Sequence, residues 1–242
     1  RTQTRREPRM KLQAFDAVLF DLDGTLLDTA PDLAGAINDM RIARGLEAMP
    51  LHELAPMCSF GGRGMLSKGL DLRPDDADYR ASYDLFIETY RQRMTRDTQP
   101  FDGMREFVRQ LADSGLAWGV VTNKMEALAL PLMDHMNFDP PPGCVIGGDS
   151  AGVAKPDPAP MYLACERIGI EPARCVYIGD SDRDIEAGRV AGMATIGVAY
   201  GYIPPGDDIH GWQADVVIDS VAGLPAALEQ LDAQAVAGAH PT

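Results

Sequence analysis

FDLDGTLLDT, residues 20–29, ends an apolar run with two carboxylates two positions apart and follows them with a glycine. An ionised acid is costly to bury unless a partner compensates it. A buried strand that closes on Asp21 and Asp23 therefore calls for a cation or a ligand at its end. The run that leads into the pair, AVLFDL (17–22), has the character of such a strand.

Downstream, LAWGVVT (116–122), CVIGG (144–148), RCVYIGD (174–180), ATIGVAY (194–200) and ADVVID (214–219) are further short apolar runs. Between them apolar residues recur at helical spacing, as in Met104, Phe107, Val108 and Leu111, or Met161, Ala164, Cys165 and Ile168. This rhythm predicts an α/β fold with a doubly wound, Rossmann-like parallel sheet covered by helices. The first strand stands far from the next one, so something is inserted between them. Residues 28–98 hold no strand-like run, while Leu33, Ala36, Ile37 and Met40, then Tyr79, Tyr83, Phe86, Ile87, Tyr90 and Met94, recur at helical spacing. The insert is predicted to be an all-helical cap, with its tyrosines in the core and TQPFDGM (98–104) as the return linker. The core is then 11–27 and 99–233, and the stretch 234–242 is expected to be a frayed tail.

The chain has 242 residues, 45% of them hydrophobic, and a net charge of −14. Residues 1–9 carry +3 of that balance, leaving −17 on the remainder, which argues against nucleic acid as a partner. The basic start (1–10) reads as a disordered extension, with Met10 the natural first residue. No run approaches the roughly 20 apolar residues of a membrane helix, and RTQTRREPRMK lacks the apolar stretch of a secretion signal. The expectation is a cytoplasmic monomer or homodimer without membrane contact. Cys58, Cys144, Cys165 and Cys175 show no zinc spacing and are expected to be buried, reduced thiols.

In a parallel α/β sheet, ligands bind beyond the carboxyl ends of the strands. Here those ends carry Asp21 and Asp23, Thr122 and Asn123, and Asp180 and Asp184, with Lys155 a short loop beyond the strand at 144–148. Hard oxygen donors of this kind select Mg2+, and a lysine with a hydroxyl and an amide suits a phosphate. A carboxylate held near such a cation can attack phosphorus in line. An acid two residues on points the same way, so Asp23 can move protons as general acid and base. Gly24 lets the chain turn and frees backbone N–H groups for phosphate oxygens. Thr122 and Asn123 are suited to hold phosphate near a helix N-terminus, and Lys155 offsets phosphoryl charge. Asp28 reads as a helix cap at the entry to the insert rather than a catalytic acid.

FDLDGTLLDT, VVTNK, Lys155-Pro156 and GDSDRD resemble, in order and spacing, the four signatures of the haloacid dehalogenase superfamily of phosphatases. The resemblance covers about residues 15–230. It implies Asp21 as nucleophile, Mg2+ held by Asp21, Asp180 and the Asp23 carbonyl, and Asp184 as a partner behind the metal or Lys155. Within the superfamily, TAPDL, VVTNK, GDS and YGY are similar to phosphoglycolate phosphatases. YGYIPPGDDIHGWQADVVID and GGRGM look like N-acetylmuramic acid 6-phosphate phosphatases. The implied substrate is a small phosphorylated metabolite, 2-phosphoglycolate first and N-acetylmuramic acid 6-phosphate second. In the cap, FGGRG (60–64) reads as a loop that presents Arg63 to a substrate carboxylate or ring oxygens.

Other readings are weaker. A phosphosugar mutase would share the aspartyl-phosphate chemistry, and a non-catalytic phosphate binder has no use for both Asp21 and Asp23. GDSAG (148–152) with His210 matches a serine-esterase pattern, but Pro156, Pro158 and Pro160 follow where a helix must start. HELAP (52–56) lacks the second histidine of a zinc protease.

Overall fold

The computed structural model describes residues 9–238. Strand β1 (Ala17–Phe20) is buried at every position. Val18 and Phe20 enter one hydrophobic cluster, Ala17 and Leu19 the other, so the strand is covered on both faces. The chain then turns into β2 (Leu27–Asp28), which pairs antiparallel with β3 (Gln99–Pro100). This two-residue ribbon is where the helical insert leaves and rejoins the sheet domain.

The insert contains α1 (Ala30–Ala43), α2 (Leu51–Leu54), a 3-10 segment (Ala55–Phe60), α3 (Gly61–Leu70) and α4 (Tyr79–Arg93). Leu33, Ala36, Ile37 and Met40 form the buried face of α1 and pack with Phe86 and Tyr90. Buried Asp32 fastens the insert to its return strand, its Oδ2 accepting from the Asp97 N–H (3.0 Å), the Thr98 N–H (2.9 Å) and Thr98 Oγ1 (2.8 Å). FGGRG is not a loop, contrary to the expectation. Fully buried Met65 and Leu66 pin its continuation against the neighbouring helices, and this packing overrides the low helix propensity of the glycines. Arg63 therefore stands in the first turn of a helix.

The remaining elements alternate: α5 (Met104–Asp113), β4 (Ala117–Val121), α6 (Glu126–Met136), β5 (Val145–Ile146), α7 (Ala159–Ile168), β6 (Cys175–Gly179), α8 (Asp182–Ala191), β7 (Ala194–Val198), β8 (Val216–Ile218) and α9 (Leu224–Gly238). The sheet runs β5-β4-β1-β6-β7-β8 with every neighbour parallel. Residues from α7 and α8 share a cluster on one face, and those from α5, α6 and α9 share the other. After β5 the chain returns to the far side of β1, so strand order reverses around β1. Its carboxyl end, flanked by those of β4 and β6, lies at this switch point.

Both ends of the described chain are more ordered than expected. Met10 is buried and its N–H donates to Ser114 Oγ at 3.0 Å, so it does not belong to a disordered extension; residues 1–8 lie outside the described residues. Helix α9 continues through Gly238 where a frayed tail was expected from 234. Its Asp232 Oδ1 takes the N–H groups of Gln13 and Ala14, each at 2.7 Å, which anchors the helix against the start of the core. Residues 239–242 of the expected tail lie outside the description. Among the described residues no helix is long and apolar enough to cross a membrane.

Candidate active site

Asp21, Asp180 and Asp184 are all buried, and carboxylate oxygens from the three lie within 4.8 Å of one another. One ammonium sits among them. Lys155 Nζ is 2.8 Å from Asp21 Oδ1, 2.7 Å from Asp184 Oδ1, 2.9 Å from the Val121 carbonyl and 2.8 Å from Tyr177 Oη. Burial pushes the Asp21 carboxyl up to about 6, with Lys155 opposing the rise and Asp184 adding to it. Burial, then Asp21 and Asp184, holds Asp180 well above the ordinary carboxylate range. Burial works against the charge of Lys155 too, but Asp184 and Asp21 outweigh it and keep the ammonium protonated.

Three acids against one lysine leave negative charge uncompensated, and the donors are all oxygen, so the cluster could hold a hard divalent cation. The three acids are not equivalent. Asp184 Oδ1 faces Lys155, and its Oδ2 takes the N–H (3.0 Å) and hydroxyl (2.6 Å) of Ser181 in a capping box at the start of α8. Both of its oxygens are engaged by protein. Asp180 Oδ2 accepts the Tyr202 N–H at 2.6 Å and its Oδ1 only the Thr25 hydroxyl at a long 3.5 Å, while Asp21 Oδ2 has no hydrogen bond among the described residues. Asp21 and Asp180 thus keep more capacity for an ion.

Gly24 lies beside Asp180 with φ +85°, and a Cβ there would come 2.1 Å from Asp180 Oδ2. Gly201 approaches from the other side, where a Cβ would meet Asp180 Cβ at 2.2 Å. Only hydrogen fits at either position. Gly24 was expected to let the chain turn and free backbone N–H groups for phosphate; its own N–H is not among the free ones, because it donates to the Leu27 carbonyl at 2.9 Å. The N–H groups of Leu22 and Asp23 have no acceptor among the described residues, so they are the donors the turn leaves free.

Thr122 follows β4 and is buried; its Oγ1 accepts the Lys124 N–H at 3.1 Å and retains its proton to donate. Asn123 corrects an expectation. Its side-chain amide clamps the lysine loop, Nδ2 donating to the Lys155 carbonyl (3.0 Å) and Oδ1 accepting the Lys155 N–H (2.9 Å). It positions Lys155 rather than pointing an amide at phosphate.

Asp23 Oδ1 accepts Thr29 Oγ1 at 2.6 Å and lies 3.1 Å from Lys124 Nζ. Asp28 does not cap α1, whose N-cap is Thr29 without a side-chain capping bond; it accepts Tyr202 Oη at 2.7 Å. A cavity of about 200 Å³ opens over these strand ends, with Phe60, Tyr83 and Phe86 of the insert forming an apolar wall opposite the carboxylates. Arg63 lines it and is exposed. Arg183 of α8 closes one side by donating to the Ser59 carbonyl at 2.7 Å. Ser150 Oγ is engaged by Glu126 and the Gly147 N–H, and the exposed His210 does not bond it, so no esterase pair forms.

Residues 18–198 match the family model of the haloacid dehalogenase-like hydrolases. The chain belongs to this family. An N-acetylmuramic acid 6-phosphate phosphatase of Pseudomonas aeruginosa is 40% identical to this hydrolase over 87% of the chain and 93% of the relative. A phosphoglycolate phosphatase of Xanthomonas campestris pv. campestris is also 40% identical, over 88% of the chain and 97% of the relative. Among solved structures, one from Haemophilus somnus 129PT, described as a predicted phosphoglycolate phosphatase, superposes with a TM-score of 0.77 at 27% identity, covering 89% of this chain and 98% of that one.

Several residues of the hydrolase site had no local sequence signal. Tyr177 sits mid-strand in β6 and bonds Lys155, Asp184 and the Val121 carbonyl. Tyr202 reaches Asp180 and Asp28 from beyond β7. The stretch YGY, quoted above only for its resemblance, contains the glycine that makes this approach possible. Lys124 was part of VVTNK but carried no assigned role.

Proposed function

We propose that this hydrolase is a Mg2+-dependent phosphomonoesterase that acts through an aspartyl-phosphate on Asp21, with 2-phosphoglycolate as its first candidate substrate. One observation carries the reading. Asp21 stands at the carboxyl end of the central strand and lines the cavity, with one oxygen held by Lys155 at 2.8 Å and the other without a hydrogen bond among the described residues. Such a carboxylate is oriented by one oxygen and reactive at the other.

Asp21 and Asp180, with the Asp23 carbonyl, would hold the Mg2+, which supplies positive charge to the crowded carboxylates and to the phosphoryl group. The chain's own groups account for the rest. Free N–H groups of Leu22 and Asp23 and the Thr122 hydroxyl offer donors to the phosphoryl oxygens. Asp21 attacks phosphorus, and Asp23 protonates the departing oxygen. Asp23 then takes a proton from the water that hydrolyses the acyl phosphate. Lys155 balances charge throughout, and Asp184 and Asn123 hold it in place. The apolar wall of the insert excludes bulk water during the reaction.

The family membership and the two 40%-identical phosphatases support the reaction class. N-acetylmuramic acid 6-phosphate is the second candidate, favoured by the aromatic wall of Phe60, Tyr83 and Phe86, which suits a larger, partly apolar leaving group. Four free, buried cysteines suit a reducing compartment, and we place the enzyme in the cytoplasm on that basis. The test is a comparison of kcat/KM for 2-phosphoglycolate, N-acetylmuramic acid 6-phosphate and common sugar phosphates, with and without EDTA. The reading expects one carboxylate-bearing ester to rank first and EDTA to abolish turnover. Turnover that survives EDTA, or absence of phosphate release from every ester, contradicts it.

A further inference from the structure

Lys124 lies where the sheet domain, the acidic turn and the insert meet. Its Nζ is 3.1 Å from Asp23 Oδ1, 3.1 Å from Tyr90 Oη and 4.5 Å from the centre of the Tyr90 ring. The side chain is 6% exposed. A buried ammonium is stable only with partners, and these come from two bodies: Asp23 follows β1, whereas Tyr90 belongs to α4 of the insert. On Asp23 the contacts are one-sided. Oδ1 receives both Lys124 and Thr29, while Oδ2 has no hydrogen bond among the described residues.

The geometry points to Lys124 as the positioning residue that fixes Asp23 through Oδ1, leaves Oδ2 to carry the proton, and makes this hold depend on the insert through Tyr90. The inference rests on the phosphomonoesterase reading and deepens it. With the insert seated, Tyr90 supports the ammonium from behind by its hydroxyl and its ring face. With the insert lifted, that support goes and Lys124 gains water in its place. Asp23 is then set for proton transfer when the cavity is covered. Among the described residues Lys124 makes no hydrogen bond or ion pair to Asp21 or Asp180; its one carboxylate partner is the Asp23 side chain, and because it also lines the cavity, rates are compared at saturating ester.

Leaving groups separate this from a merely structural role. A p-nitrophenolate departs without a proton, whereas the alkoxide of 2-phosphoglycolate needs one from Asp23. Single-turnover rates of phosphoryl transfer are measured for both esters with wild-type, Lys124→Met and Tyr90→Phe enzymes. General acid catalysis contributes about 10²- to 10⁴-fold. Lys124→Met should therefore slow the alkyl ester at least about ten-fold more than the aryl ester. Tyr90→Phe keeps the ring and removes the hydroxyl, and should show the same split at about two- to five-fold. If Lys124→Met does not fold, the Tyr90→Phe split decides. Equal slowing of both esters, or none, overturns the role of Lys124 while leaving the phosphatase reading intact. A wild-type enzyme that turns over neither ester overturns both.

Discussion

Replacing Asp21 by Asn should abolish phosphatase activity and at the same time make the metal-free protein more stable. Burial raises the Asp21 carboxyl from 3.8 to about 6 even with Lys155 beside it. Between those pH values the folded protein holds a proton that the unfolded chain has lost, so stability falls as pH rises through this window and is level above it. At about 1.4 kcal/mol per pH unit, the ionised Asp21 costs about 3 kcal/mol at pH 7.5. Asparagine has the shape of the neutral acid and carries none of this cost. In EDTA, Asp21→Asn should therefore unfold at a higher temperature than wild type at pH 7.5, by about 6–12 °C for a chain of this size. The difference should shrink toward zero near pH 4. Added Mg2+ should raise the wild-type transition and leave the variant nearly unmoved. Calorimetric scans at pH 4, 6 and 7.5 give the comparison. A variant less stable than wild type at pH 7.5, or a gain that does not change with pH, would refute the claim that burial makes the ionised Asp21 costly to the fold.

Lys155→Met should act in the opposite direction, because Asp21 and Asp184 lose their shared counter-charge; a loss of about 3–5 kcal/mol at pH 7.5 is expected in urea unfolding, with less at pH 5. Asp32→Ala leaves the N–H groups of Asp97 and Thr98 without their buried acceptor, and should cost about 2–4 kcal/mol, read as faster amide exchange in α1 and β3 while the central strands stay protected. Arg63→Ala should raise KM for the physiological ester several-fold more than for p-nitrophenyl phosphate, and an equal rise for both would remove Arg63 from substrate recognition.

The strand ends were legible because each apolar run stops on a residue that burial would otherwise exclude. Asp21, Thr122 and Asp180 follow β1, β4 and β6, and the register of the parallel sheet sets those three ends side by side. The helical insert was legible from the face of α1, where Leu33, Ala36, Ile37 and Met40 are all buried. What escaped depends on contacts between distant segments. Nothing local to Tyr90 says that its hydroxyl meets Lys124, and nothing in YGY says that its glycine makes room beside a carboxylate 21 positions earlier. Directions of short side chains escaped as well. Asn123 and Asp28 were read as groups for phosphate and for a helix end, but the nearer partners, the Lys155 backbone and the Tyr202 hydroxyl, took them. The ribbon of β2 and β3 has two residues per strand, too short for any alternation to register. FGGRG misled because three glycines outweigh two buried apolar residues in local propensity and not in packing.

The most direct test of the account is the covalent intermediate. Wild-type enzyme is mixed for one turnover with the 32P-labelled ester that ranks highest in kcat/KM, quenched in acid, digested and mapped. The account predicts acid-stable, hydroxylamine-labile label confined to the peptide that contains Asp21, and no label on the Asp21→Asn variant. Label on any other residue, or rapid turnover with no label on Asp21 at any quench time, would contradict it.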